Sequence, residues 1–401
     1  MTHDAPVDTR LPATRLPLLD VLRGAAILGT LMTNVWIFTA PGSEASVLQG
    51  AMVAPDPFSE PGGPSVAGIA ETLFRFLSDG KFLSLLTVLF GVGLAIQYES
   101  AARRGAPWPG RYGRRAAFLF LEGTVHFVLV FAWDVLMGYA VTALLTAWLL
   151  ARSERVRRRV MWAAGAVHVA LISLVTLAAL GRPDDAPVEP DPALVDLYAR
   201  GGWGDQIGYR LGHAAGLRVE PVFTFGLLVF LFLLGVRLYR AGAFAPPPGG
   251  HRLRVRMARW GLGLGMPLGA AAALGGPDFF VLGRYGIVPL IAIGYLGLLG
   301  CALDRARLPR PLVGGLASVG RTALSCYVGQ NLLCVLLCYG TGLGLAQRLG
   351  AGPWWVMGLW AGVSLLLVAG SGWWLRRFPR GPLEAVQHRV VGGPAALTAP
   401  R

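Results

Sequence analysis

The sequence predicts an all-α, polytopic integral membrane protein with about ten transmembrane helices. Three observations carry that expectation. The 401 residues are 54% hydrophobic and only 14% charged, against about 25% charged in an ordinary soluble domain, and the mean hydropathy is +0.55. Ten apolar runs come close to the roughly 20 residues a helix needs to cross about 30 Å of hydrocarbon. Arginine clusters follow every second run, as they do in short cytoplasmic loops. The net charge of +14 is thus a topology signal. It is not a nucleic-acid footprint, because no basic face is interleaved with aromatic residues.

A polar tail over 1–17 leads into one transmembrane domain, 18–378, and a second tail covers 379–401; no cleaved signal peptide and no internal repeat is expected. The spans, in order, are Leu18–Ala40, Lys81–Tyr98, Arg114–Ala132, Asp134–Ala151, Val160–Leu180, Pro221–Leu238, Trp260–Leu274, Phe280–Leu303, Thr322–Tyr339 and Pro353–Leu375. Ahead of the second span, the amphipathic Ser65–Asp79 is expected to rest on the outer interface. Arginines cluster at Arg103–Arg115, Arg152–Arg159, Arg240–Arg259, Arg305–Arg310 and Arg376–Arg380. The alternate connections carry acids: Glu44, Asp56 and Glu60 in the first, and Asp184, Asp185, Glu189, Asp191, Asp196 and Asp205 in a long extracytoplasmic loop over 181–219. That alternation puts both termini in the cytoplasm and the bundle in a bacterial inner membrane. Glycines inside the spans, such as Gly91 and Gly93, follow no strand. They read as close helix contacts and not as a phosphate-cradling loop.

Chemistry concentrates between Arg114 and Ala140, where His126 and Asp134 interrupt apolar sequence. An ionisable group in hydrocarbon needs a partner or a water-filled cavity, so the pair marks a candidate site. The alternative is a histidine satisfied by a backbone carbonyl or a neighbouring helix. Glu122 and His126 stand at i and i+4, so this carboxylate too is in reach of the ring. Asn34, Asp79, Lys81, Arg284, Gln330 and Asn331 fall at a similar depth, which points to a shared cavity; the amides alone would read as helix glue. Lys81 is the one lysine among 36 basic residues. Asp20 and Arg23, at i and i+3, are expected to pair at the cytoplasmic boundary, the other role for Arg23 being a phosphate contact. His168 reads as structural. Cys326, Gln330, Cys334 and Cys338 share a helical stripe without a histidine or carboxylate, so packing is expected and no metal or disulfide.

Five ordered stretches resemble a known family: LDVLRGAAILGTLMTN at Leu19–Asn34, DGKFLSLLTVLFGVGL at Asp79–Leu94, EGTVHFVLVFAWDVLMGYA at Glu122–Ala140, VGRTALSCYVGQNLL at Val319–Leu333 and LRRFPRGPLEAV at Leu375–Val386. They look like the YeiB-type bacterial membrane family. The first-helix LD-x-x-RG signature is also similar to that of transmembrane acyltransferases, including heparan-alpha-glucosaminide N-acetyltransferase and O-acetylases of surface glycans. That relationship implies transfer of an acyl group, acetyl in the first place, from a cytoplasmic acyl-CoA to a small-molecule or glycan acceptor reached from the other face. His126 would be the general base or transient acyl carrier, with Asp134 or Glu122 setting its tautomer. Lys81 or Arg284 would stabilise the oxyanion or hold the acceptor, with Asn34 and Gln330 beside them, and Arg23 and Arg321 would meet nucleotide phosphates. The chain departs from the family pattern at Trp133, Cys326 and Ala385. The rival reading is a small-metabolite transporter using the same residues as a proton relay.

Overall fold

The computed structural model describes residues 17–49, 63–181, 191–350 and 352–392, and all its regular elements are helical. The acids Asp56, Glu60, Asp184, Asp185 and Glu189, and most of both tails, lie outside the described residues. Each predicted apolar run contains a helix. In chain order the main ones are α1 Pro17–Thr39, α2 Val66–Ser78, α3 Lys81–Arg103, α4 Tyr112–Leu129, α5 Leu136–Leu150, α6 Glu154–Leu180, α7 Pro192–Ala199, α8 Trp203–Gly212, α9 Phe225–Arg240, α10 Gly249–Leu274, α11 Val288–Asp304, α12 Arg310–Arg321, α13 Ala323–Cys338, α14 Pro353–Leu375 and α15 Pro382–Gly392.

Among the described residues, five stretches are long and apolar enough to cross a bilayer: α1, Val66–Arg103, α6, Pro277–Asp304 and α14. The bent pair α12 and α13 makes a sixth. By length and composition, five or six of the expected ten therefore qualify. The 15 residues of α5 reach only about 23 Å at 1.5 Å per residue, α9 has 16, and α4 and α10 carry arginines in their first turns.

Two elements differ from expectation. Ser65 caps α2 by accepting from the Gly68 N–H at 3.0 Å, and the helix then runs through Asp79 and Gly80 into α3 as one 38-residue apolar stretch. It is a continuation of a span rather than a separate interfacial helix. Its Arg75 is buried, held by Glu71 at 2.9 Å and stacked 4.3 Å over the Trp36 ring. The segment 310–321, expected to be an arginine-bearing loop, is the helix α12, which meets α13 at 91°.

The core is organised around α1, which packs on α3, α12, α13 and α14 and buries Val21, Leu22, Ala26, Leu31 and Val35 completely. Its crossing with α12 is backbone against backbone. A Cβ added at Gly24 would stand 1.9 Å from the Leu316 carbonyl oxygen, and one at Gly320 would stand 1.8 Å from that of Asp20. Only glycine at both positions permits this approach. At the periphery, α6 exposes Trp162, Val167, Leu174 and Leu177, the apolar outer face of a helix that would meet lipid.

Candidate functional site: a buried histidine, aspartate and asparagine chain

The site forms where α4 stops. The His126 carbonyl accepts from Val130 N at 2.8 Å and Phe131 N at 2.9 Å, closing the helix one turn beyond the imidazole and opening a tight turn into α5. Asp134 sits in that turn and uses its two carboxylate oxygens differently. Oδ1 accepts from Leu136 N at 2.9 Å, satisfying a free N–H at the start of α5. Oδ2 accepts from the Tyr327 hydroxyl at 3.3 Å and stands 3.1 Å from His126 Nδ1. That last contact is an electrostatic approach without the alignment of a straight hydrogen bond. Gly123 makes room for it, since a Cβ there would lie 2.7 Å from Asp134 Oδ1.

The other ring nitrogen faces α13. Asn331 donates through Nδ2 to His126 Nε2 at 3.2 Å and accepts through Oδ1 from Asn34 Nδ2 at 3.4 Å. An amide nitrogen has only protons to offer, so Nε2 is the acceptor and the neutral ring carries its proton on Nδ1, towards Asp134. The Tyr327 ring meets the imidazole edge-on at 5.4 Å. His126, Asp134 and Asn331 are all buried, so three helices converge on a polar chain closed to solvent.

Of the candidates from sequence, His126, Asp134 and Asn34 are brought together. Asn331, not Gln330, reaches the ring; Gln330 is buried with neither side-chain polar atom bonded. Glu122 does not pair with His126, and its Oε2 is buried without a partner. Asp134 takes the ring because the turn carries it back over the end of α4. Lys81 and Arg284 belong to a second cluster. Lys81 donates to the Asp79 carbonyl at 3.4 Å, and Arg284 Nε lies 3.3 Å from the Tyr285 hydroxyl, which donates to Glu220 at 2.7 Å. His168 contacts the Tyr285 carbonyl at 3.1 Å, and Asp20 and Arg23 stand 4.0 Å apart. The three stripe cysteines are buried free thiols. Among the described residues no group of three or more metal-ligating side chains gathers.

Sequence reasoning missed several contributors. Arg218 donates to the Asp134 carbonyl at 2.7 Å. Glu44 and Arg210 form a fully buried ion pair that grips the same turn: Arg210 donates to the carbonyls of Val128 and Val130 at 3.1 and 3.0 Å, and Glu44 accepts from Ala132 N. Burial beside this pair, and then the Glu44 charge, push the phenols of Tyr198 and Tyr209 up. The available signal was an arginine subset, Arg210 and Arg218, inside a loop otherwise read as acidic. Glu384 is another: it accepts from Leu324 N at 2.8 Å and from the Ser325 hydroxyl at 2.6 Å, capping α13 from 60 residues away.

Cavities approach the buried chain from two directions. One, of about 210 Å³, is lined at its mouth by Arg23, Arg115, Arg321 and Glu384 and at its far end by Val135 and Tyr327. A smaller pocket of about 50 Å³ is lined by Asp134, Val135, Arg218 and Glu220. Val135 borders both.

These features define a helical protein with membrane-length apolar helices and a buried His–Asp–Asn chain. Residues 238–394 match the family described as Protein of unknown function (DUF418). The chain is 26% identical to YxaH of Bacillus subtilis (strain 168), an uncharacterized protein, covering 92% of each. It is 28% identical to YeiB of Escherichia coli (strain K12), also uncharacterized, over 94% of this chain and 97% of that one. The chain is thus similar to the YeiB-type proteins along nearly its whole length.

Proposed function

We propose that this protein is an acyltransferase of the bacterial inner membrane, with ten membrane-embedded helices and both termini in the cytoplasm. It would move an acyl group, most simply acetyl, from cytoplasmic acyl-CoA to a small-molecule or glycan acceptor on the other side. The observation that carries this reading is the His126–Asp134 pair buried between two cavities that share Val135. An enzyme working across a membrane needs its base between two separate entrances.

In the reaction, the acceptor hydroxyl attacks the thioester carbonyl carbon as His126 Nε2 takes its proton. Asp134 holds the opposite N–H and stabilises the imidazolium. When the C–S bond breaks, the departing thiolate recovers that proton from Nε2, leaving an acylated acceptor and free CoA. Asn331 occupies Nε2 at rest, so substrate entry has to displace its amide, which then becomes available to the developing oxyanion. Arg23 and Arg321, at the mouth of the larger cavity, suit nucleotide phosphates. Arg218 and Glu220 suit the acceptor, Arg284 reaches that pocket only through Tyr285 and Glu220, and Lys81, bonded to the Asp79 carbonyl, does not line it.

A transporter is the second reading, supported by the 91° break between α12 and α13 and by the unpaired buried Gln330. Broken helices of this kind line many substrate paths. Incubating purified protein with labelled acetyl-CoA tests the two together. Thioester consumption that disappears in a folded His126→Ala supports transfer. Solute uptake by proteoliposomes, with acetyl-CoA never consumed, overturns it in favour of transport.

A further inference from the structure

The larger cavity does not end at its arginine mouth. Two wider cavities adjoin it, of about 590 and 350 Å³, and Arg115 lines all three. The wide pair also presents Arg104, Arg111 and Arg380, with Glu384 its one carboxylate among the described residues. That carboxylate is already engaged by Leu324 N and Ser325. Trp108 and Tyr112, with ring centroids 5.8 Å apart, add a flat wall, and the indole is fixed by donating to the Ala147 carbonyl at 2.7 Å. Beyond Arg115 the lining changes. Leu89, Phe90, Leu119 and Leu136 make an apolar passage that ends at Tyr327, which touches Asp134 and the His126 ring.

A wide cationic vestibule with an aromatic wall, narrowing to an apolar passage, fits a molecule with a bulky polyanionic head and a slim, uncharged arm. We propose that the wide cavities hold the phosphate-bearing nucleotide head of the acyl donor, with Arg115 at the junction and the arm running past Leu119 to Tyr327. This rests on the acyl-transfer reading. Planar guanidinium forks suit phosphate oxygens, and a cluster of them discriminates by charge number. An anionic lipid headgroup offers the same chemistry from a different source, so the test separates the two.

The probe is desulfo-coenzyme A, which keeps the head and arm but has no sulfur to acylate, so its binding is read without turnover. Full-length protein in phosphatidylcholine nanodiscs should bind it, 3′-dephospho-coenzyme A more weakly, and pantetheine without measurable affinity. Arg115 is exposed, so Arg115→Ala leaves no buried orphan, and it should weaken binding on the order of ten- to a hundredfold, as loss of a charge-assisted contact does. Arg115→Lys should recover part of that loss. Arg114→Ala, one residue away and lining none of the three cavities, should bind normally. Unchanged affinity in Arg115→Ala overturns the site. So does a result in which phosphatidylglycerol occupies it and the nucleotide does not compete. Binding that responds to Arg115 while acetyl-CoA is never consumed keeps the site and defeats the transfer reading; turnover with a normal KM in Arg115→Ala does the reverse.

Discussion

Asp134 divides its two oxygens between a helix start and an imidazole, so a substitution there separates folding from chemistry. In Asp134→Asn an amide oxygen still accepts from Leu136 N, while the amide nitrogen opposes the Nδ1 proton and favours the wrong tautomer. The expected result is a protein that inserts and melts nearly as wild type, with acetyl-CoA turnover reduced but measurable. In the proposed mechanism His126 is the base, and His126→Ala removes it. Turnover of the proposed transferase should fall by about 10²–10⁴-fold, and the orphaned Asn331 amide should cost about 1–3 kcal/mol, seen as a lower Tm in detergent, while Asp134 Oδ2 keeps the Tyr327 hydroxyl. Full turnover in a well-folded His126→Ala defeats the mechanism. Asn331→Leu probes the third member. It strands Asn34 Nδ2 and His126 Nε2 together, so its Tm should fall at least as far as that of His126→Ala. The sequence made His126 and Asp134 visible because charge in an apolar run is conspicuous. It did not separate Gln330 from Asn331, since adjacent residues on a helix differ in face by about 100° and the partner face was unknown.

The α12–α13 bend is made by two devices, a glycine contact and a distant cap. Gly320→Ala places a methyl against the Asp20 carbonyl, and the overpacking should cost about 1–3 kcal/mol or more, with loss of yield. Gly263→Ala, whose added Cβ meets nothing within 4 Å, should be neutral or mildly stabilising. Similar losses in both variants would show that the contact at Gly320 is not what fixes the crossing. Glu384→Ala removes the cap on Leu324 and Ser325 and should lower stability by about 1–2 kcal/mol, with Glu384→Gln between it and wild type. Helix positions were legible because a buried apolar run about 20 residues long has few other ways to satisfy its backbone. The bend was not, since 310–321 mixes arginine with glycine and becomes a helix only by packing on α1 and α14. The Glu44–Arg210 clamp spans 166 positions, a pairing no local pattern encodes.

For the whole bundle, the alternation of arginine and acidic loops makes a test of sidedness direct. In a background without the four native cysteines, Gly204→Cys should label only from outside and Ala151→Cys only from inside; the reverse pattern would invert the topology. Gly204 suits the experiment because an added Cβ there meets nothing within 4 Å, whereas at Gly201 it would stand 2.4 Å from the Leu197 carbonyl. Val135 carries a consequence at this same scale. As the residue bordering both cavities, it would, in the proposed membrane arrangement, stand in the partition between them, and a unit charge crossing 100 mV changes energy by about 2.3 kcal/mol. In the proposed transfer the imidazolium would form beside this partition, as charge moved within the membrane field. Turnover in sealed vesicles should therefore respond to an imposed potential, and Val135→Gly should raise passive proton leak, making this side chain an insulator as much as a wall.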